Sequence, residues 1–454
     1  MTYYLDPFGC VKNQVDAENM MAALNRAGWA SAENAEDADL VIVNSCGFIE
    51  SAKKESINAV LGWRKLYPKK KILLAGCLAQ RYAKELASEL SEADGFFGTD
   101  DLSGIVKAAE NTMKIASVAG SMPCLREIKY GDRPLLSLPG SAYVKISEGC
   151  DNRCSFCAIP IIRGGLKSRS IKEITGECKT LLKRGIKEIC LIAQDSGSYG
   201  KDFCRVPVKE SSAALGSGLP ALMEALSALK GNFRVRLLYI HPDHFPVSIL
   251  DIMEQDGRFI PYFDIPFQHG SEKILKAMNR KGNAKTHLEL IKTIRARFTD
   301  AVIRSTFLTG FPDETEEDFA LLLGFQKKAR LDWAGCFAYS REEGTAAWGM
   351  KDRVAKKTAL ERKRLVEEQQ LEITEKQMDR FVGRVFDVLV EEEFSSGKKE
   401  DGEEENLYLG RLPCQAPEVD GAAVVLSPRP LELGAMILCK VIARAGFDLK
   451  VRPV

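Results

Sequence analysis

AYVKISEGCDNRCSFCAIP, residues 142 to 160, reads as a short β-strand running into a turn that carries Cys150, Cys154 and Cys157. Period-two apolar residues in AYVKIS fit a strand. The Cys-x-x-x-Cys-x-x-Cys run supplies three thiolates where a closed tetrahedral site takes four. The rival readings are a zinc knuckle and plain buried cysteines, but zinc favours paired Cys-x-x-Cys or His-containing sets, and no nearby His or Cys completes this one. The four histidines, His241, His244, His269 and His287, all lie far along the chain.

An iron-sulfur cluster accounts for an incomplete set. A 4Fe-4S cube with three Cys ligands leaves one iron open to an outside chelator. S-adenosylmethionine (SAM) can fill that position through its amino and carboxylate groups, and one electron from the cluster then cleaves its sulfonium to a deoxyadenosyl radical.

Outward from this stretch, six strand patterns alternate with helices: AYVKIS, EICLIAQ, FRVRLLYI, YFDIPFQ, VIRSTFLTG and WAGCFAYS. Six βα units predict an incomplete parallel barrel whose site lies at the carboxyl ends of its strands, with the cysteine loop following strand one. Upstream, the first ~120 residues alternate strands and helices in the order that builds a covered parallel sheet. TYYLDPF, DLVIVNS and KILLAG are the strands there, each followed at once by a cysteine: Cys10, Cys46 and Cys77. The carboxyl ends of parallel strands share one edge, so the three thiols are expected to converge as an upstream trio. The alternative is that each is a small buried hydrophobe capping its strand.

A connector rich in turn residues, VAGSMPCLREIKYGDRPLLSLPGSA, separates the two regions. Downstream, the charged run AKKTALERKRLVEEQQLEITEKQMDR reads as a solvated helix, and the tail from FVGRVFDVLV onward alternates like a small all-β barrel. Within that tail EEEFSSGKKEDGEEEN reads as an exposed, mobile hairpin loop. The expected fold is thus α/β: an N-terminal doubly wound parallel domain at 1–120, a partial (β/α)6 barrel at 136–372, and a β-barrel at 378–454.

A net charge of +1 over 454 residues argues against gripping nucleic acid mainly through a basic surface, which leaves room only for a local patch. Thirteen cysteines, several clustered like metal ligands, fit a reducing compartment, so a cytoplasmic location is expected. MTYYLDPFGC lacks the pattern of a signal peptide, and no uninterrupted apolar stretch approaches 18 residues, so neither export nor membrane insertion is expected.

Taken together, three spaced cysteines, the second trio with the aromatic Phe156 before its last Cys, and a β-barrel tail resemble the radical SAM methylthiotransferase family, whose tail domain is called TRAM. The resemblance covers essentially the whole chain. It implies two 4Fe-4S clusters, one SAM-cleaving on Cys150, Cys154 and Cys157 and one auxiliary on Cys10, Cys46 and Cys77. It also implies SAM used both as methyl donor and as radical source, and an electron donor of flavodoxin or ferredoxin type. GCVKNQVDAE, NSCGFIESAKKES, GCLAQRY, DIPFQHGS, YSREEGT and APEVDG are similar to the branch that methylthiolates the β-carbon of an aspartate in ribosomal protein S-twelve, free or in the small subunit. The tRNA branch, which modifies an adenosine next to the anticodon, typically has a GCQMN-like string instead.

The tail holds nine Lys and Arg against thirteen Asp and Glu from residue 381 on, which favours a basic protein partner over a stable nucleic-acid one. A non-catalytic iron-sulfur or zinc scaffold is the third reading. For SAM itself, Phe156, Gln194, Gly310 and Arg169 are the candidate contacts, and Arg163 is a second arginine placed to steer a carboxylate. His269 is the histidine expected nearest the barrel mouth. Cys124, Cys178, Cys190, Cys204, Cys336, Cys414 and Cys439 share no spacing and read as core or surface residues. Two departures from the family pattern stand out: Asp313, where glycine is frequent, and Pro413–Cys414 in the tail motif.

Overall fold

The structure, a computed structural model, describes residues 1–114, 130–203, 218–398 and 404–454. The chain forms two compact units. One comprises Met1–Leu136, Glu148–Lys167 and Ser340–Trp348; the other comprises Ser137–Ser147, Ser168–Tyr339 and Gly349–Val454.

In the first unit, strands Thr2–Pro7, Ala30–Ser31, Leu40–Ser45, Lys71–Gly76 and Gly95–Phe97 make one sheet in the spatial order second, first, third, fourth, fifth. Every pairing is parallel, and the order is that of a doubly wound sheet. LVIV in the central strand has no exposed residue because both faces are covered. Leu40 and Ile42 pack with Met20 and Leu24 of helix Val11–Arg26 on one face. Val41 and Val43 pack with Val60 of helix Glu50–Leu66 on the other. The two additional strands, of two and three residues, are too short to leave a periodicity in the sequence.

In the second unit all six expected strands form: Ser141–Lys145, Glu188–Ile192, Arg234–Leu237, Tyr262–Asp264, Val302–Thr309 and Trp333–Ala338. They are parallel throughout. The first three and the last three form two sheets, joined where the Ile240 amide donates to the Asp264 carbonyl at 2.9 Å and Val235 bridges Phe259. Among the described residues, no helix is long and apolar enough to cross a membrane.

The charged run after the barrel corrects the sequence reading. Helix Lys356–Asp379 is not simply solvated, for it buries Ala359, Arg362, Val366, Gln370, Thr374, Gln377 and Met378 along one stripe. Much of that stripe is polar, which hides it from a hydropathy reading, and several of its groups find partners on the barrel. Gln370 Nε2 donates to the Leu331 carbonyl at 2.9 Å and Thr374 Oγ1 to the Asp332 carbonyl at 2.8 Å. Buried side-chain donors paired in this way cost little relative to leaving them unmet.

Strands Val385–Lys398, Glu404–Arg411, Ala423–Ser427, Met436–Ala445 and Asp448–Pro453 close into the expected small barrel. It is tied to the parallel strands by a buried charge cluster. Glu188, fully buried, meets Arg236 at 3.0 Å as well as Arg234 and Arg411, and Arg411 also pairs with Glu391 at 2.8 Å. Burial alone would raise the Glu188 pKa, but the three guanidinium groups outweigh it and hold the carboxylate well below its usual range. The first half of the connector at 118–142, part of the acidic loop at 391–406, and both Cys124 and Cys204 lie outside the described residues.

Candidate functional site

Cys10, Cys46 and Cys77 leave three strands that are neighbours in the sheet, so the strand-end rule delivers them to one edge. Cys10 is the N-cap of helix Val11–Arg26, whose positive end favours negative charge, and Cys77 opens the short helix Cys77–Arg81. The three loops touch. Gly9, at φ +95°, lies where a Cβ would come within 3.2 Å of the Cys46 Cβ, and a Cβ on Gly47 would sit 2.7 Å from the Cys77 carbonyl oxygen. Only glycine allows that approach.

Asn13, one turn into the helix, staples the loops together. Its Nδ2 donates to the Ser45 carbonyl at 2.9 Å, its carbonyl accepts from Asn44 Nδ2 at 2.9 Å, and its Oδ1 accepts from Cys77 Sγ at 3.0 Å. Exposure grades across the trio, from exposed Cys10 through half-buried Cys46 to buried Cys77. Burial pushes the Cys77 thiol up to about 12, against the pull of Arg163, and raises Cys46 as well. All three are free thiols, and a metal would take them as thiolates with release of their protons.

The second trio belongs to the same compact unit. Its loop is folded by backbone hydrogen bonds from Cys150 to the Gly164 carbonyl at 3.2 Å and from Cys157 to the Cys154 carbonyl at 3.0 Å. Ala158 and Ile162, just beyond Cys157, pack directly on Cys77 with Phe48 beside them. Arg163 completes the junction. It is not a surface arginine: its guanidinium is buried, pairs with Asp16 at 2.9 Å and Glu148 at 3.0 Å, and donates to Asn13 Oδ1 and to Cys77 Sγ, the latter at 3.1 Å.

Segment Ser340–Trp348 joins from the other side, where the Ala347 amide donates to the Ser155 carbonyl at 2.7 Å. There too Glu342 pairs with Arg81 at 2.7 Å and Lys53 at 2.8 Å. Each trio offers three thiols and no fourth cysteine in sequence proximity, one short of the four thiolates that usually hold an iron-sulfur cluster. Among the described residues, no three His, Cys, Asp or Glu side chains are grouped so as to hold a single metal ion.

Of the candidate SAM contacts, half-buried Phe156 belongs to the first unit, and Gln194, Arg169 and Gly310 to the second. Gln194 is half-buried after the second barrel strand. Arg169 pairs with Glu177 and donates to the Lys145 carbonyl, both at 2.7 Å. Gly310, at φ +73° after the fifth strand, has an immediate steric reason for being glycine, since a Cβ there would overlap the Cβ of Ala359. His269 is fully buried, with Nδ1 accepting from the Ser271 amide at 2.9 Å. Cys178, Cys190, Cys336, Cys414 and Cys439 are buried.

Comparison with known proteins matches residues 2–98 to an uncharacterised protein family, UPF0004, residues 144–325 to the radical SAM superfamily and residues 382–454 to the TRAM domain. The ribosomal protein uS12 methylthiotransferase RimO of Treponema denticola is 47% identical over 98% of this chain and 99% of its own length. The proteins of the same name from Aquifex aeolicus and Thermotoga maritima are each 40% identical, over 98% and 92% of this chain and 95% and 92% of their own. The chain belongs to the RimO methylthiotransferase family. In fold, the radical SAM methyltransferase TsrM of Kitasatospora setae is similar at a TM-score of 0.53 and 12% identity, with 76% of each chain covered.

Asp313 sits at φ +65°, in the left-handed region that favours glycine and that Asp tolerates better than most residues. Sequence reasoning missed Asn13, Asp16, Arg81 and Glu342 as site residues. The available signal was polarity out of place, because Lys12, Asn13, Asp16, Glu18 and Asn19 are all buried on a helix whose periodicity reads as core-facing.

Proposed function

We propose that this chain inserts a methylthio group at the β-carbon of an aspartate of ribosomal protein uS12, in the cytoplasm, with SAM as both methyl donor and radical source. The reading rests on near-full-length similarity to RimO proteins combined with two cysteine trios on one compact unit. Cys150, Cys154 and Cys157 are the ligands for the SAM-cleaving 4Fe-4S cluster, and Cys10, Cys46 and Cys77 for an auxiliary one. When bound, the two clusters and SAM supply the radical that removes hydrogen from an unactivated carbon and the sulfur that replaces it.

The chain's own part is placement. Its strand ends carry the auxiliary thiols to one edge, and the packing of Ala158 and Ile162 on Cys77 keeps the two loops adjacent. Phe156, Gln194, Arg169 and Gly310 are proposed as SAM contacts, and a flavodoxin- or ferredoxin-type protein as reductant. The acidic tail, residues 378–454, suits a basic ribosomal protein. The segments 1–120 and 136–372 are proposed as the modules for auxiliary cluster and radical chemistry.

Anaerobic reaction of the reconstituted chain with SAM, reductant and sulfide, offered both uS12 and an unmodified tRNA, tests this by mass spectrometry. A methylthio increment on one uS12 aspartate supports the reading. An increment on an adenosine, or no product and no deoxyadenosine, overturns it.

A further inference from the structure

The hydrogen bond from Arg163 to Cys77 joins the loop that carries one cysteine trio to a thiol of the other. Arg163 lies six residues past Cys157, on the loop of one trio, and its Nη2 donates to the sulfur of the most buried thiol of the other at 3.1 Å. We propose that Arg163 is a positioning residue for the auxiliary cluster: it fixes the Cys77 sulfur and sets that cluster's reduction potential from the radical SAM loop. The proposal rests on the two-cluster reading above and adds to it a control that the ligand cysteines do not contain.

Three observations support it. First, the guanidinium is over-determined. Asp16 and Glu148 each hold Nη1, and Asn13 Oδ1 shares Nη2 with Cys77, so the fork cannot swing away without abandoning a buried carboxylate. Arginine suits this duty because its planar fork presents several donors at fixed angles, whereas a lysine offers a single flexible centre. Second, the guanidinium and its closest carboxylate are buried: the Arg163 and Asp16 side chains are 2% and 3% exposed, against 30% for Glu148, so the Arg163–Asp16 pair acts with little screening. Third, Cys77 has a second neighbour on the same group, Asn13 Oδ1 at 3.0 Å. Once Cys77 is a metal-bound thiolate it has no proton to give Asn13, and the Arg163 N–H becomes the donor aimed at it.

Hydrogen bonds and positive charge at cluster sulfur stabilise the reduced, more negative state and so raise the potential. Asp16 opposes this by neutralising part of the guanidinium charge. The two residues should therefore move the potential in opposite directions, which packing alone would not do.

The test uses full-length chain in which Cys150, Cys154 and Cys157 are all alanine, so that only the N-terminal trio holds iron. Iron and sulfide content after reconstitution reports first on the two-cluster reading: a chain that takes up no cluster defeats that reading itself, before Arg163 is examined. In cluster-bearing protein, EPR-monitored redox titration gives the midpoint.

Asp16→Asn is expected to raise it. Arg163→Met combined with Asp16→Asn, which avoids leaving Asp16 buried without its partner, is expected to lower it relative to Asp16→Asn alone by a tenfold shift in the one-electron equilibrium, about 59 mV. Arg163→Lys should fall between. Unchanged midpoints in cluster-bearing variants overturn the proposal, as does a double variant that fails to take up iron while Arg163→Lys takes it up with the parent's midpoint, for Arg163 would then be structural only.

Discussion

Arg81 and Glu342, 261 residues apart, form a 2.7 Å ion pair in which both side chains are 2% exposed. Arg81 stands four residues after Cys77 and also donates to the carbonyl of Gly47, next to Cys46, at 2.9 Å. Glu342 thus braces the Cys46 and Cys77 loops at once through one guanidinium. Replacing it with Ala leaves Arg81 buried without its carboxylate and is expected to cost about 3–5 kcal/mol. Denaturant unfolding of the reduced, metal-free chain measures this, and a loss under about 1 kcal/mol would show that Arg81 finds another partner or water.

The two trios should separate functionally. Cys154→Ala is expected to abolish deoxyadenosine formation while retaining about half of the iron, in proportion to two equal clusters. Cys46→Ala is expected to retain deoxyadenosine formation and lose methylthiolated product. Iron analysis with chromatographic assay of deoxyadenosine distinguishes these outcomes, and loss of both activities in each variant would indicate a single shared site.

Opposite pH signatures are expected from two buried carboxylates of the second unit. Glu188 has its folded pKa held well below 4.5, so its stabilisation is complete above that value and fades as pH falls below it. Asp420, which accepts from the Tyr262 hydroxyl at 2.6 Å, is raised by burial from 3.8 to about 6. The folded state therefore holds its proton more tightly than the unfolded chain, and this group's contribution declines as pH rises from 3.8 through about 6. Asp420→Asn should flatten the stability profile in that window, as thermal melts across it would record. Glu188→Gln should destabilise by about 3–5 kcal/mol near neutrality, since three arginines lose their shared anion.

Gly310→Ala is expected to destabilise by at least about 1–2 kcal/mol, the usual cost of the left-handed region for an L-residue, with the overlap on Ala359 in addition. Equilibrium unfolding reads the loss directly. An unchanged stability would mean that helix Lys356–Asp379 shifts at its first turn to make room.

Much of the architecture was legible because it is written in local periodicity. KILLAG and DLVIVNS announce buried parallel strands, and WAGCFAYS ends the barrel where its pattern says. Where a segment is short, as at Gly95–Phe97, or where a buried face is polar, as at Gln370 and Thr374, periodicity carries no signal and the expectation failed. Gln370 and Thr374 become good core residues only when the Leu331 and Asp332 carbonyls are there to accept from them.

The sequence by itself determined the chemistry available to this protein: two sets of three thiols, each lacking a fourth ligand, and the strands that carry them. Ligand identity and spacing are properties of the chain and survive any arrangement of it. Only the tertiary structure decided that the loops of the two sets adjoin, that Asn13 ties the Cys46 and Cys77 loops, and that Arg163 points away from solvent toward Cys77. Those facts depend on contacts between residues 31 to 150 positions apart. Such contacts form because burying a guanidinium requires nearby carboxylates, and folding alone sets which ones are within reach.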